Sequence, residues 1–184
     1  MTPEAPRATA AVPPIHSATS APKTVALPSL APMVKKALPS VVTVRAWAKR
    51  TNTAGRRVPD PKGVGTGFVY DTEGYLLTNN HVIEGAGLIM VTLNDGRELE
   101  ATVIGADKLT DVAVIHVEQK GLPALPLGDS VSLEVGDWVV AIGNPFGLER
   151  TVSAGIISAK GRTRDDVDGL DDHGYFAFLQ TDAA

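Results

Sequence analysis

The 184-residue sequence predicts an all-β fold of the sandwich or barrel kind. Three observations carry that prediction. Short apolar runs of β-type residues recur along most of the chain, Gly-rich and Asx-rich turn signals separate them, and helical periodicity is almost absent. With 43% hydrophobic and 21% charged residues, the chain can bury a core of ordinary size.

Residues 1–32 hold seven of the thirteen prolines and eight alanines without a hydrophobic period, which reads as a disordered tail. A two-turn amphipathic helix is expected over 32–38, where Met33, Val34, Ala37 and Leu38 surround Lys35 and Lys36, with Pro39 as its stop. Strands are then expected at 41–47, 64–70 and 75–78, with 49–62 a polar, basic loop and Asp71, Thr72, Glu73 and Gly74 a turn. The runs 88–93 and 98–104 flank Asn94, Asp95 and Gly96, a strong hairpin signal because these residue types tolerate positive φ. Further strands are expected at 112–117, 137–142, 151–160 and 175–180, with 121–129 a connector. The division that follows from the residues is a tail at 1–32 and, after it, a run of short strands that fits a sandwich or barrel.

A net charge of −4 gives no basic footprint for phosphates, so nucleic acid is not an expected partner. Cysteine is absent, which removes disulfides, thiolate metal sites and cysteine nucleophiles together. No apolar run reaches membrane-span length, and 25–34, broken by Pro28 and Pro32, fails as the core of a signal peptide. Either the protein stays where it is made or the natural start lies upstream.

His81 follows the apolar strand Tyr75, Leu76, Leu77 and the small polar residues Thr78, Asn79 and Asn80. A neutral histidine there suits a general base, provided an acceptor holds its other ring nitrogen protonated. Asp111, at the mouth of the apolar strand Val112, Ala113, Val114, Ile115, is the natural acceptor. Taken alone, such a histidine is ordinarily structural or exposed, and such an aspartate is ordinarily a turn residue. Together, in the order base then acid, they look like two thirds of a serine-protease triad.

Four collinear strings sharpen this. Thr78-Asn79-Asn80-His81-Val82-Ile83, Thr110-Asp111-Val112-Ala113-Val114, Gly143-Asn144-Pro145-Phe146-Gly147 and Gln180-Thr181-Asp182-Ala183-Ala184 resemble the HtrA/Deg family of trypsin-like serine endopeptidases. Residues 30–44 resemble the opening of its mature periplasmic Do-type members, so the likeness spans roughly 28–184. The resemblance implies a double β-barrel, with the first barrel, at 33–128, complete and carrying His81 and Asp111, and the second, at 129–184, partial here. It further implies His81 as general base, Asp111 as the acid that orients it, unfolded or damaged polypeptides as substrates, a periplasmic location and a homotrimer built through the N-terminal segment. In the family the nucleophilic serine and oxyanion donors sit in a Gly-Asn-Ser-Gly-Gly loop just beyond the segment matching 180–184. That string does not occur in the 184 residues, nor does a PDZ-like segment, and the chain by itself is expected to be inactive. The alternative is a non-catalytic, protease-like module that binds polypeptide, or a product with no role of its own.

The other candidates carry less. Ser153 and Ser158 lie in an expected strand without a Gly-x-Ser-x-Gly elbow, Ser130 and Ser132 border a connector, and the rest precede the first barrel. His16, His81, His116 and His173 lack metal-ligand spacing, so no metal and no cofactor is expected. His116 is placed on a barrel surface beside Val112, Val114 and Glu118. The run Arg164-Asp165-Asp166-Val167-Asp168-Gly169, in the acidic stretch 162–174, half resembles a calcium loop, but Arg164 takes its first position and Tyr175 its twelfth. A solvated loop is the plainer reading, and by resemblance the region matches a regulatory loop. Gly63, Gly65 and Gly67 alternate strictly and precede a strand, which suggests a close-packed barrel turn rather than a nucleotide fingerprint.

Overall fold

The computed structural model describes residues 29–51, 57–143, 151–163 and 177–183. The expected tail to residue 28, His16, His173, most of the acidic stretch, residues 144–147 of the third string, and Ala184 lie outside the described residues. The chain opens with α1 (Ala31–Ala37), which carries Pro near its start and Lys35 and Lys36 in its last turn, an arrangement that suits helix sterics and dipole. Pro39 does not stop the helix outright. It sits inside a tighter 3₁₀ turn, Leu38–Ser40, that leads into β1 (Val41–Thr51).

The strands β2 (Arg57–Val69), β3 (Tyr75–Asn79), β4 (Leu88–Thr92), β5 (Glu98–Asp107) and β6 (Val112–Val117) close with β1 into a barrel, in the order β1-β2-β3-β6-β5-β4. A four-residue helix, α2 (Asn80–Ile83), follows β3 directly. The barrel interior is apolar at every strand: Val42 and Val44, Val69, Leu76, Val91, Ala101, and Ala113, Ile115 and Val117 form one buried cluster. Period-two alternation is visible in β3 and β4, the pattern of strands with one face in the core. Beyond the barrel, β7 (Trp138–Gly143), β8 (Thr151–Arg162) and β9 (Phe178–Thr181) make a three-stranded sheet with β8 in the middle. First barrel complete and second partial therefore describes what is seen.

The turns obey local chemistry. At the β3 entry Asp71 Oδ1 accepts from the Glu73 and Tyr75 amides at 2.9 and 3.1 Å, and Gly74 takes a φ of +106° with the Val117 carbonyl only 2.3 Å from where a Cβ would stand. No other residue type fits there.

Two local expectations change. The polar stretch 49–62 is not a loop at its ends: β1 and β2 continue as a paired arm, with Lys49 opposite Pro59 and Thr51 opposite Arg57. The prolines are tolerated because β2 meets β3 only from Gly67 onward, so the proline nitrogens sit on an edge that forms no ladder. Gly63, Gly65 and Gly67 lie within β2 rather than in a turn. A Cβ on Gly65 would stand 2.5 Å from a Val82 methyl, so the missing side chain is what lets α2 lie down on the strand. Gly155 does the same for the second sheet. Its notional Cβ would meet the Ala183 nitrogen and Asp182 Oδ1 at 2.4 Å, and Asp182 Oδ1 accepts the Ile156 amide at 2.8 Å.

Candidate active site

Residues 81 and 111 meet because of sheet register. β3 and β6 are antiparallel, and their last pair is Asn79 opposite Val112, so the residue leaving β3 and the residue entering β6 emerge at the same end of the barrel. The ladder runs one bond further, with the Asn80 amide donating to the Asp111 carbonyl at 3.0 Å. His81 then falls on the first turn of α2, anchored by Val82 and Ile83, which are 7% and 4% exposed. The sequence reading placed His81 after the strand but did not foresee this helical turn.

Asp111 is the only described non-glycine residue with positive φ, at 54°. Aspartate tolerates this left-handed conformation better than most residues. The kink turns backbone and side chain toward the same neighbours. Asp111 Oδ1 accepts the His81 backbone amide at 2.8 Å, and Oδ2 lies 2.6 Å from His81 Nδ1. Asn79 Nδ2 donates to the same Oδ2 at 3.1 Å and to the Asp111 carbonyl at 3.2 Å. Three further contacts fix this turn. Asp107 accepts from the Leu109 amide and the Thr110 hydroxyl at 2.9 Å each, and Lys108 pairs with Glu84 at the far end of α2. The Lys108 hydrogen bond, then its charge, hold the Glu84 carboxyl below its ordinary value. The short helix is thus held at both ends by one turn. Sequence reasoning missed Asp107 and the Glu84–Lys108 pair, although an Asp opening a turn before Thr is a recognisable local signal.

Partial burial is the largest single influence on Asp111 and opposes its ionisation. The His81 amide, its imidazole and the Asn79 amide together outweigh it and hold the carboxyl below the ordinary value. A carboxyl lowered on folding contributes stability that is complete above its unfolded value, about 3.9, and is lost as pH falls through the folded value. Asp111→Asn is therefore expected to lose less stability than wild type on acidification from pH 6 to below about pH 4. Urea titrations across that range would show it, and parallel curves for the two proteins would contradict it.

The His81 side chain is 70% exposed, and among the described residues its Nε2 has no hydrogen-bond partner. With Nδ1 committed to Asp111, Nε2 offers its lone pair to solvent, the condition in which an imidazole can take a proton. Beside the pair runs an apolar groove of about 840 Å³, lined among others by Met33, Leu77, Asn79, Val112 and Trp138, so that barrel and second sheet both border it. Ser153 and Ser158 lie on β8 and Ser132 donates to the Asp129 carbonyl at 2.8 Å; among the described residues no serine hydroxyl bonds to His81. His116 is on the barrel's outer face as expected, with its ring 4.8 Å from that of Tyr75. Among the described residues no three His, Cys, Asp or Glu cluster as metal ligands, and no helix is long and apolar enough to cross a membrane.

Residues 65–184 match the family model described as a trypsin-like peptidase domain. A probable periplasmic serine endoprotease DegP-like of Chlamydia pneumoniae is 53% identical over 120 residues, 65% of this chain and 24% of the relative. The putative serine protease HhoB of Synechocystis is 51% identical over 128 residues, 68% of this chain and 30% of the relative. Among solved structures, the HtrA-type protease AlgW with tripeptide superposes with a TM-score of 0.73 at 42% identity, covering 85% of this chain and 46% of that one. The chain thus spans about a quarter of the length of these curated relatives and under half of the solved one.

Proposed function

This chain belongs to the HtrA/Deg family of trypsin-like serine proteases, and from that premise we propose that it carries the base and the orienting acid of a serine endopeptidase. His81 is the general base and Asp111 its orienting acid. The observation that carries the reading is the 2.6 Å contact between Asp111 Oδ2 and His81 Nδ1, made beside a second bond from the same carboxylate to the His81 amide. Those two bonds fix both tautomer and ring position.

In the reaction, Nε2 of His81 takes the proton of a serine hydroxyl as its oxygen bonds to the scissile carbonyl carbon. The imidazolium, stabilised by Asp111, then gives that proton to the departing amine as the C–N bond breaks. By the family resemblance, the serine and the oxyanion donors come from a Gly-Asn-Ser-Gly-Gly loop, a string the 184 residues do not contain. The segment on its own therefore performs no peptidase turnover. We assign the barrel unit to 33–128 and the partial second barrel to 129–184. Unfolded or damaged polypeptides are the substrate class, and the peptide-bound AlgW structures support a polypeptide ligand. The relatives named periplasmic support that compartment, and a homotrimer through the N-terminal segment completes the proposal.

A fluorophosphonate serine probe and an unfolded protein substrate test this together. The purified 184-residue chain is expected neither to label stoichiometrically nor to cleave. A polypeptide extended through the family's serine loop is expected to do both, and to lose cleavage with His81→Ala. Stoichiometric labelling of the short chain, or cleavage indifferent to His81, would sink the proposal.

A further inference from the structure

We propose that Asn79 is a positioning residue for the His81–Asp111 pair, acting from within the first barrel to hold the Asp111 carboxylate in the plane and rotamer that face the imidazole. This rests on the reading of His81 as base and Asp111 as its acid.

Asn79 precedes α2 at its N-cap position, with the extended backbone such a residue takes (φ −81°, ψ 146°). An asparagine there ordinarily turns its side-chain oxygen back onto an amide of the first helical turn. Asn79 makes no such bond. The amide it would have served, that of His81, is taken by Asp111 Oδ1 instead. The cap is supplied by a residue from another strand, and the Asn79 side chain is left for a different task.

That task is visible in where its NH₂ group goes. One nitrogen reaches the two oxygens of Asp111 that His81's own amide does not use, Oδ2 at 3.1 Å and the carbonyl at 3.2 Å. Only the donor end of the amide can face them, since its oxygen would set three acceptors together. Oδ2 is the oxygen that meets Nδ1. A second donor on it restricts rotation of the carboxylate about its Cβ–Cγ bond and favours the ionised form. The carbonyl contact braces the left-handed backbone of Asp111, a conformation that needs support from its surroundings.

A purely structural role explains Asn79 poorly. It is exposed, on the outer face of β3, and asparagine is a weak strand former. Its removal should therefore cost the fold little. The geometry it imposes on Asp111 is what would be lost.

The test is NMR of the isotope-labelled 184-residue chain. In wild type the His81 Nδ1 proton is expected at low field, and Asp111 is expected to titrate below an ordinary carboxylate. In Asn79→Ala the Asp111 midpoint should rise toward that of an ordinary carboxylate and the His81 proton should shift upfield or vanish, with amide exchange in β3 and β6 unchanged. Asn79→Val, a better strand former of similar size without a donor, should give the same shifts, which separates the lost hydrogen bond from any loosening of the strand. Wild-type values in either variant would overturn the role of Asn79 while leaving the catalytic reading intact. Shifts as expected, together with an extended polypeptide that cleaves nothing, would instead overturn the catalytic reading alone.

Discussion

Asp111→Asn is expected to lower kcat by about 10⁴-fold in a proteolytic polypeptide that contains this segment, with the fold intact. The reason is the tautomer. If the new side chain keeps its oxygen on the His81 amide, where Oδ1 now accepts at 2.8 Å, its NH₂ group replaces Oδ2 and faces His81 Nδ1. A donor there obliges Nδ1 to accept, which moves the ring proton to Nε2. Nε2 is then unable to take a proton from a serine. Asparagine is also tolerated at positive φ, so the left-handed turn itself should survive. Steady-state kinetics with KM measured separately would show the loss in kcat, and circular dichroism would confirm the unchanged fold. A loss under tenfold would mean that Asp111 does not orient His81.

The largest effect on stability is expected in the core beneath the site. Leu76 and Ile115 face each other across β3 and β6 and are fully buried. Ile115→Ala should destabilise by about 2–5 kcal/mol, the sum of lost transfer energy and of the cavity left behind. Against a typical domain stability of about 5–15 kcal/mol, that is a large share. Because the two side chains touch one space, Leu76→Ala and Ile115→Ala should combine non-additively, with a coupling of about 0.5–3 kcal/mol. Urea unfolding of the single and double variants measures both quantities. A single-variant cost below about 1 kcal/mol would show that the barrel interior collapses around the gap. The same two strands end in Asn79 and begin at Val112, so loosening this layer also loosens the frame on which His81 and Asp111 meet.

Much of the fold was legible in the residues because short apolar runs of β-type residues bounded by Gly and Asx turn signals mark strands locally. β3, β4 and β6 lie within two residues of the sequence expectation, and the Asn94-Asp95-Gly96 signal is a turn, with Gly96 at φ +87°. Where legibility failed, a tertiary contact had overridden a local rule. Pro59 and Pro61 argued for a loop, but an edge without a ladder partner accepts proline. The glycine row 63, 65, 67 looked like a turn because the neighbours that crowd it, the Val82 side chain seventeen positions beyond Gly65 and the Leu77 carbonyl and Val44 side chain against Gly67, are invisible from the strand alone. The helical turn at His81 was hidden for the same reason: four residues carry no periodicity, and their cap comes from Asp111.

By itself, the sequence determined the class of fold, the family, and the two residues, His81 and Asp111, that the structure brings into contact, because apolar strand runs, turn chemistry and short collinear strings are local properties. Only the tertiary structure decided how that pair is built. Sheet register brings Asp111 to His81, positive φ turns one residue's carbonyl and both carboxylate oxygens toward residues 79–81, and Asn79 forgoes its cap to hold the same carboxylate. Each of these joins segments distant in the chain and is set by the closure of the barrel, with local preference contributing only aspartate's tolerance of positive φ.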